Sequence, residues 1–165
     1  MSYNIIYNTS KHKNTLIIIH GLNQSIDDLK QILDKIKESK RNTKIIIPRA
    51  KTMDIFWPNG EIQYKVNSWY NYYSRYDNKF KHDIINEVEF LDSTQLISDI
   101  IDYEKKINPN IPISLCGISQ GGTIALNYSI NSNIRFKSVI CIDTIFMHSY
   151  EKHKHIYKTP QKINA

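Results

Sequence analysis

The run Gly117-Ile118-Ser119-Gln120-Gly121 sets a serine between two glycines, directly after the apolar run 113–117 and before a helical pattern over 123–130. That context turns a common pentapeptide into a nucleophile-bearing turn. The serine stands at the tip of a tight bend, and side chains at the flanking positions would collide with the strand and the helix. The bend lifts the hydroxyl above the carboxyl edge of the sheet, where α/β folds place their ligands. The following helix aims its positive end at the reacting oxygen. The chemistry is acyl transfer through a covalent serine intermediate. The bland alternative is a glycine-rich strand-to-helix turn that happens to contain a serine.

Acyl transfer needs two N–H donors aimed at the carbonyl oxygen as it becomes negative. The residue after the nucleophile, Gln120, supplies one. The second comes from the loop after an earlier strand, and His20-Gly21-Leu22 follows the apolar run 16–19, which makes Leu22 the candidate. Gly21 lets the backbone approach closely. His20 is read as holding this loop through hydrogen bonds rather than as the catalytic base.

The elements that must position these residues follow from periodicity. Residues 3–7 form a short first strand, and 16–20 and 44–47 are strands buried on both faces. Ile26, Leu29, Ile32, Leu33 and Ile36 have helical spacing over 25–38. Residues 50–81 are aromatic and irregular in pattern, a long functional loop. A helix over 93–107 ends at Asn108-Pro109. The runs 113–117 and 137–142 are further strands. Alternating strands and helices predict an α/β-hydrolase-like, doubly wound, mainly parallel sheet. The expected domain covers 1–146, with a polar, basic tail over 147–165.

The 165 residues suit one domain, and a hydrophobic fraction of 41% suits a globular chain. No apolar run approaches the roughly 18 residues of a membrane span. No signal peptide is seen, so the expected compartment is the cytoplasm. The net charge of +6 comes mostly from scattered lysines, so no nucleic-acid partner is expected. Cys116 and Cys141 read as two buried thiols, and no Cys/His spacing resembles a metal site.

These motifs resemble the acyl-protein thioesterase/carboxylesterase group of α/β-hydrolases, also called the phospholipase/carboxylesterase family. The resemblance runs over about 15–143. It is carried by His20-Gly21-Leu22, Ile46-Ile47-Pro48-Arg49-Ala50, Ser68-Trp69-Tyr70, the helix over 94–107 and Gly117-Ile118-Ser119-Gln120-Gly121-Gly122. It implies a hydrolase of small or acylated carboxylic esters and thioesters, with a Ser-Asp-His triad and no cofactor. It also implies that Trp69 and Tyr70 lie near the acyl pocket; the alternative is a packed loop that covers the sheet.

The resemblance breaks after 137–142. The family's next two strands carry its Asp and His, and they have no counterpart here, so those roles cannot be carried over to any position. A local substitute is Asp143, at the end of the strand beside the elbow, with His148 as base. The alternative is that Asp143 caps a turn and that His148, His153 and His155 are exposed tail residues. Two functions therefore stand: a serine esterase or thioesterase, or a catalytically impaired hydrolase fold acting as a binding module or truncated product. A sheet lacking its last strands also leaves an exposed edge through which chains can self-associate.

Overall fold

The computed structural model describes residues 3–7, 12–39, 42–57, 60–77 and 80–144. In chain order it comprises β1 (Tyr3–Tyr7), β2 (Asn14–Ile19), α1 (Lys30–Ser39), β3 (Thr43–Pro48), β4 (Lys51–Phe56), β5 (Ile62–Ser68), β6 (Tyr72–Asp77), β7 (Phe80–Ile85), α2 (Glu87–Ile107), β8 (Ile113–Ile118), α3 (Gln120–Asn131) and β9 (Ser138–Ile142). A single 3-10 turn, Asp27–Leu29, leads into α1.

The central sheet has the order β1-β3-β2-β8-β9. Its last four strands are parallel, and β1 runs antiparallel along β3. Successive side chains of β2 go to opposite faces, as the pleat requires. Ile17 and Ile19 join Ile97, Ile100, Ile101, Ile124 and Ala125 under α2 and α3. Ile18 joins Leu29, Leu33, Ile45 and Ile47 under α1. Burial on both faces explains why these strands read as continuous isoleucine runs rather than as alternating patterns.

Residues 50–81 correct the expectation of an irregular loop. They hold the hairpin β4–β5 and most of a second hairpin, β6–β7. Alternation is masked because the β4–β5 register shifts between Met53 and Ile55, and Lys65 takes φ 55°. Such bulges break the period of two. Asn59-Gly60 was the available hairpin signal: the Gly60 N–H donates to the Trp57 carbonyl at 3.0 Å, with Gly60 at φ 86°.

Helix α2 begins at Glu87 rather than Ser93 because Asn86 caps it, accepting from the Glu89 N–H at 3.2 Å. Its far end is anchored at the amino edge of the sheet. There the buried Glu104 accepts from the Lys44 ammonium at 2.6 Å and from the Thr15 hydroxyl at 3.0 Å. Cys116 is half-buried, but Cys141 is exposed, contrary to the expectation of two buried thiols. The reason is that β9 is the last strand of the sheet among the described residues. Among the described residues, no helix is long and apolar enough to cross a membrane.

Candidate active site

Ser119 lies between β8 and α3 with φ 50° and ψ −118°. A non-glycine residue pays about 1–3 kcal/mol for such a backbone, and residues of this kind cluster at functional sites. A serine preceding a helix normally caps it, its side chain accepting from the first turn. Here the hydroxyl makes no capping bond. The Ser119 carbonyl receives the Gly122 and Thr123 N–H groups instead, at 2.9 and 3.2 Å. The residue is exposed, and its hydroxyl makes no hydrogen bond among the described residues. Helix capping therefore does not explain the serine.

The flanking glycines are forced by close backbone packing. A Cβ on Gly117 would sit 2.5 Å from Gly122 Cα and 2.7 Å from Gly121 C. A Cβ on Gly121 would run into the carbonyl oxygens of Ile19 and His20. The start of α3 is thus pressed against the end of β2, from which the 20–24 loop departs. The elbow is also held from β9, since the Ser119 N–H donates to the Ile142 carbonyl at 2.8 Å.

In the 20–24 loop, the Gly21 N–H donates to Gln24 Oε1 at 2.7 Å, and the Asn23 N–H donates to the Asn67 carbonyl at 2.8 Å. Between them, the Leu22 N–H has no acceptor among the described residues, and neither does the Gln120 N–H at the start of α3. Helix α3 leaves its first amides unpaired in the ordinary way.

His20 uses both ring nitrogens within this scaffold. Nδ1 bonds the Gly21 carbonyl at 2.8 Å and so carries the proton, while Nε2 accepts from the Ala50 N–H at 3.3 Å. Burial pushes its pKa below the ordinary histidine range, against the opposing effect of the Gly21 hydrogen bond. A neutral imidazole with both nitrogens occupied holds a loop and is not poised to take a proton from Ser119.

Sequence reasoning treated Gln120 only as an amide donor and missed its side chain. Gln120 Oε1 accepts from the Trp69 N–H at 3.0 Å, and Nε2 donates to the Tyr70 carbonyl at 2.7 Å and to the Ser68 hydroxyl at 3.1 Å. The Trp69 indole N–H then donates to the His20 carbonyl at 2.7 Å, with its ring centroid 4.9 Å from the His20 ring. Elbow, 20–24 loop and 68–70 segment are one buried hydrogen-bonded unit. The signal was available: Ser68-Trp69-Tyr70 and Ser119-Gln120-Gly121-Gly122 occur in the same chain.

Trp69 and Tyr70 are each only 1% exposed. As placed, they offer a substrate almost no surface, so contact with an acyl chain requires the segment to move. Asp143 follows β9 at the same edge of the sheet as Ser119, exposed, with φ 50°. His148, His153 and His155 lie outside the described residues. Among the described residues, no group of His, Cys, Asp and Glu side chains could hold a metal ion.

Residues 2–165 match the family described as Phospholipase/Carboxylesterase. Among solved structures, SOBER1 of Arabidopsis thaliana superposes with a TM-score of 0.63 at 20% identity, covering 79% of this chain and 61% of that one. Acyl-protein thioesterase 2 of Zea mays gives 0.61 at 18% identity, with 78% and 50% covered. A phospholipase/carboxylesterase from Dyadobacter fermentans gives 0.61 at 16% identity, with 88% and 61% covered. The aligned part of this chain thus spans half to three fifths of the length of these neighbours. Comparison with curated proteins gives no match.

Proposed function

We propose, from the premise that this chain belongs to the phospholipase/carboxylesterase family, that it is a serine hydrolase of carboxylic esters or thioesters. The observation that carries the reading is Ser119 itself: a strained, exposed serine that does not cap its own helix. In the proposed reaction, Ser119 Oγ attacks the acyl carbonyl carbon while a base takes its proton. The Leu22 and Gln120 N–H groups receive the oxyanion. The ester C–O or thioester C–S bond breaks, and the leaving alcohol or thiol takes up the proton. Water then attacks the acyl-enzyme by the reverse logic, releasing the acid and restoring the serine.

The base is assigned to His148, with Asp143 orienting the imidazole. Position supports Asp143, because it directly follows the residue whose carbonyl holds the Ser119 amide. Trp69 and Tyr70 take the role of an acyl-binding wall if their segment opens.

A second reading is a hydrolase fold that binds but does not turn over. It is favoured by His20, whose two ring nitrogens are both engaged within the scaffold and which therefore does not serve Ser119 as a base. A fluorophosphonate probe separates the two. Labelling at Ser119, lost in Ser119→Ala, together with p-nitrophenyl ester turnover supports the hydrolase. An unlabelled, inert but folded protein supports the binding module.

A further inference from the structure

Trp69 stands between the two segments that flank Ser119, and all three of its polar groups are engaged. Its main-chain N–H donates to Gln120 Oε1 at 3.0 Å, its carbonyl accepts from the Ser93 hydroxyl of α2, and its indole N–H donates to the His20 carbonyl at 2.7 Å. The ring is buried against the His20 ring. A residue that only walled an acyl chain would need apolar area and not an indole donor, which a buried tryptophan must satisfy at some cost in geometry.

The indole bond continues into the 20–24 loop. It holds the oxygen of the His20–Gly21 peptide unit, whose N–H is held from the other side by Gln24 Oε1 at 2.7 Å. The His20 imidazole then donates from Nδ1 to the Gly21 carbonyl at 2.8 Å. That carbonyl shares one planar peptide unit with the Leu22 N–H, and in a trans unit the two point in opposite directions. Holding the Gly21 oxygen therefore aims the Leu22 N–H away from the imidazole, where it has no acceptor among the described residues. Three consecutive hydrogen bonds thus run from Gln120 through Trp69 and His20 to the peptide that carries the Leu22 amide.

We propose that Trp69, beyond any wall it forms, is a positioning residue of the reaction: through the His20–Gly21 peptide, its indole N–H sets the Leu22 amide relative to the Gln120 amide. The inference rests on the hydrolase reading of Ser119. Oxyanion donors accelerate acyl transfer because they are aimed before the charge develops. Removing one such donor costs about 100- to 1,000-fold in kcat, so a donor that is kept but loses its brace should cost less, about tenfold. The loss falls on the transition state, because the oxyanion forms only there, and not on substrate binding. It is also independent of acyl length, which separates positioning from the role of a wall.

The test removes the indole N–H alone. Benzothienylalanine placed at position 69 of the whole chain keeps the shape of the ring and has sulfur where the indole has N–H. Trp69→Phe is the simpler variant and decides by the same criteria if the first does not fold. Both are assayed on p-nitrophenyl acetate and p-nitrophenyl decanoate, with active sites counted by fluorophosphonate so that lost protein is not read as lost rate. The expected result is a kcat lower by about tenfold on both esters alike, with KM unchanged. A ring-fluorinated tryptophan at position 69, which retains the N–H, should restore the parent's kcat. Parental kcat without the indole N–H overturns the proposal. So does a loss confined to the decanoate or carried by KM, which would leave Trp69 as a wall alone. A wild type that neither labels nor turns over either ester overturns the hydrolase reading and this proposal with it.

Discussion

The Ser119 N–H donates to the Ile142 carbonyl at 2.8 Å, so the nucleophile turn and the end of β9 move as one piece. Asp143 is the next residue, and it is thereby fixed to the elbow through a single peptide unit. If Asp143 orients His148, then His148→Ala should lower turnover of p-nitrophenyl esters about as far as Ser119→Ala, because triad members act as a unit. The wild-type rate should fall below about pH 6.5, as a histidine base requires. A His148→Ala enzyme with the parent's rate and pH profile would remove the assignment.

Backbone strain at Ser119 should be convertible into stability. Glycine tolerates φ 50° with ψ −118° without a Cβ penalty. Ser119→Gly should therefore raise the unfolding free energy by about 1 kcal/mol, while abolishing fluorophosphonate labelling. Denaturant titration beside the parent measures this. A less stable Ser119→Gly protein would show that the serine side chain supports the turn.

Two adjacent glycines should behave differently. A methyl on Gly121 meets the main-chain oxygens of Ile19 and His20, which cannot rotate away. A methyl on Gly122 meets chiefly the Thr144 side chain, which can. Gly121→Ala should cost several kcal/mol, and Gly122→Ala about 1 kcal/mol or less, on the scale of overpacking. Thermal unfolding of both variants checks the order; equal losses would contradict the packing argument.

Gln120 offers a test of the unit behind the site. Gln120→Ala leaves the Trp69 N–H buried without its acceptor, while the Tyr70 carbonyl keeps the Ser68 hydroxyl. An orphaned buried donor costs about 1–3 kcal/mol. Gln120→Ala should lower stability by that order and reduce kcat more than it raises KM, since the backbone N–H remains but its aim is loosened. Unchanged stability would mean that water replaces the amide.

The burial of His20 predicts a pH dependence of stability. Its native-state pKa lies below the ordinary value of 6.5, so the unfolded chain takes up its proton first as the pH falls. The contribution to stability is complete above 6.5 and is lost as the pH drops from there through the native-state value. His20→Phe should be less stable throughout, because it forfeits the Gly21 and Ala50 bonds, but its melting temperature should vary less with pH over that window. Parallel melting-temperature curves for parent and variant would contradict this.

The identity of the fold was legible in the sequence because its signals are local. Continuous isoleucine runs at 16–19 and 44–47 mark strands buried on both faces, and Gly117-Ile118-Ser119-Gln120-Gly121 marks a turn whose glycines only close packing requires. The structure names the packing partners as Ile19 and His20, which are far from the elbow in sequence. The hairpins within 50–81 were not legible, because a bulge at Met53–Ile55 and the positive φ of Lys65 destroy the alternation on which strand reading depends. The Gln120 side-chain bridge to Trp69 and Tyr70 and the Lys44–Glu104 pair could not be read either: each joins residues dozens of positions apart. The edge position of β9 belongs to the same class. Its five residues are apolar enough for the middle of a sheet, and only the order β1-β3-β2-β8-β9 places it as the last strand among the described residues. Local periodicity records how a segment meets its own two faces. Which strand lies beside it, and which amide is left without a partner, is decided when the chain closes on itself.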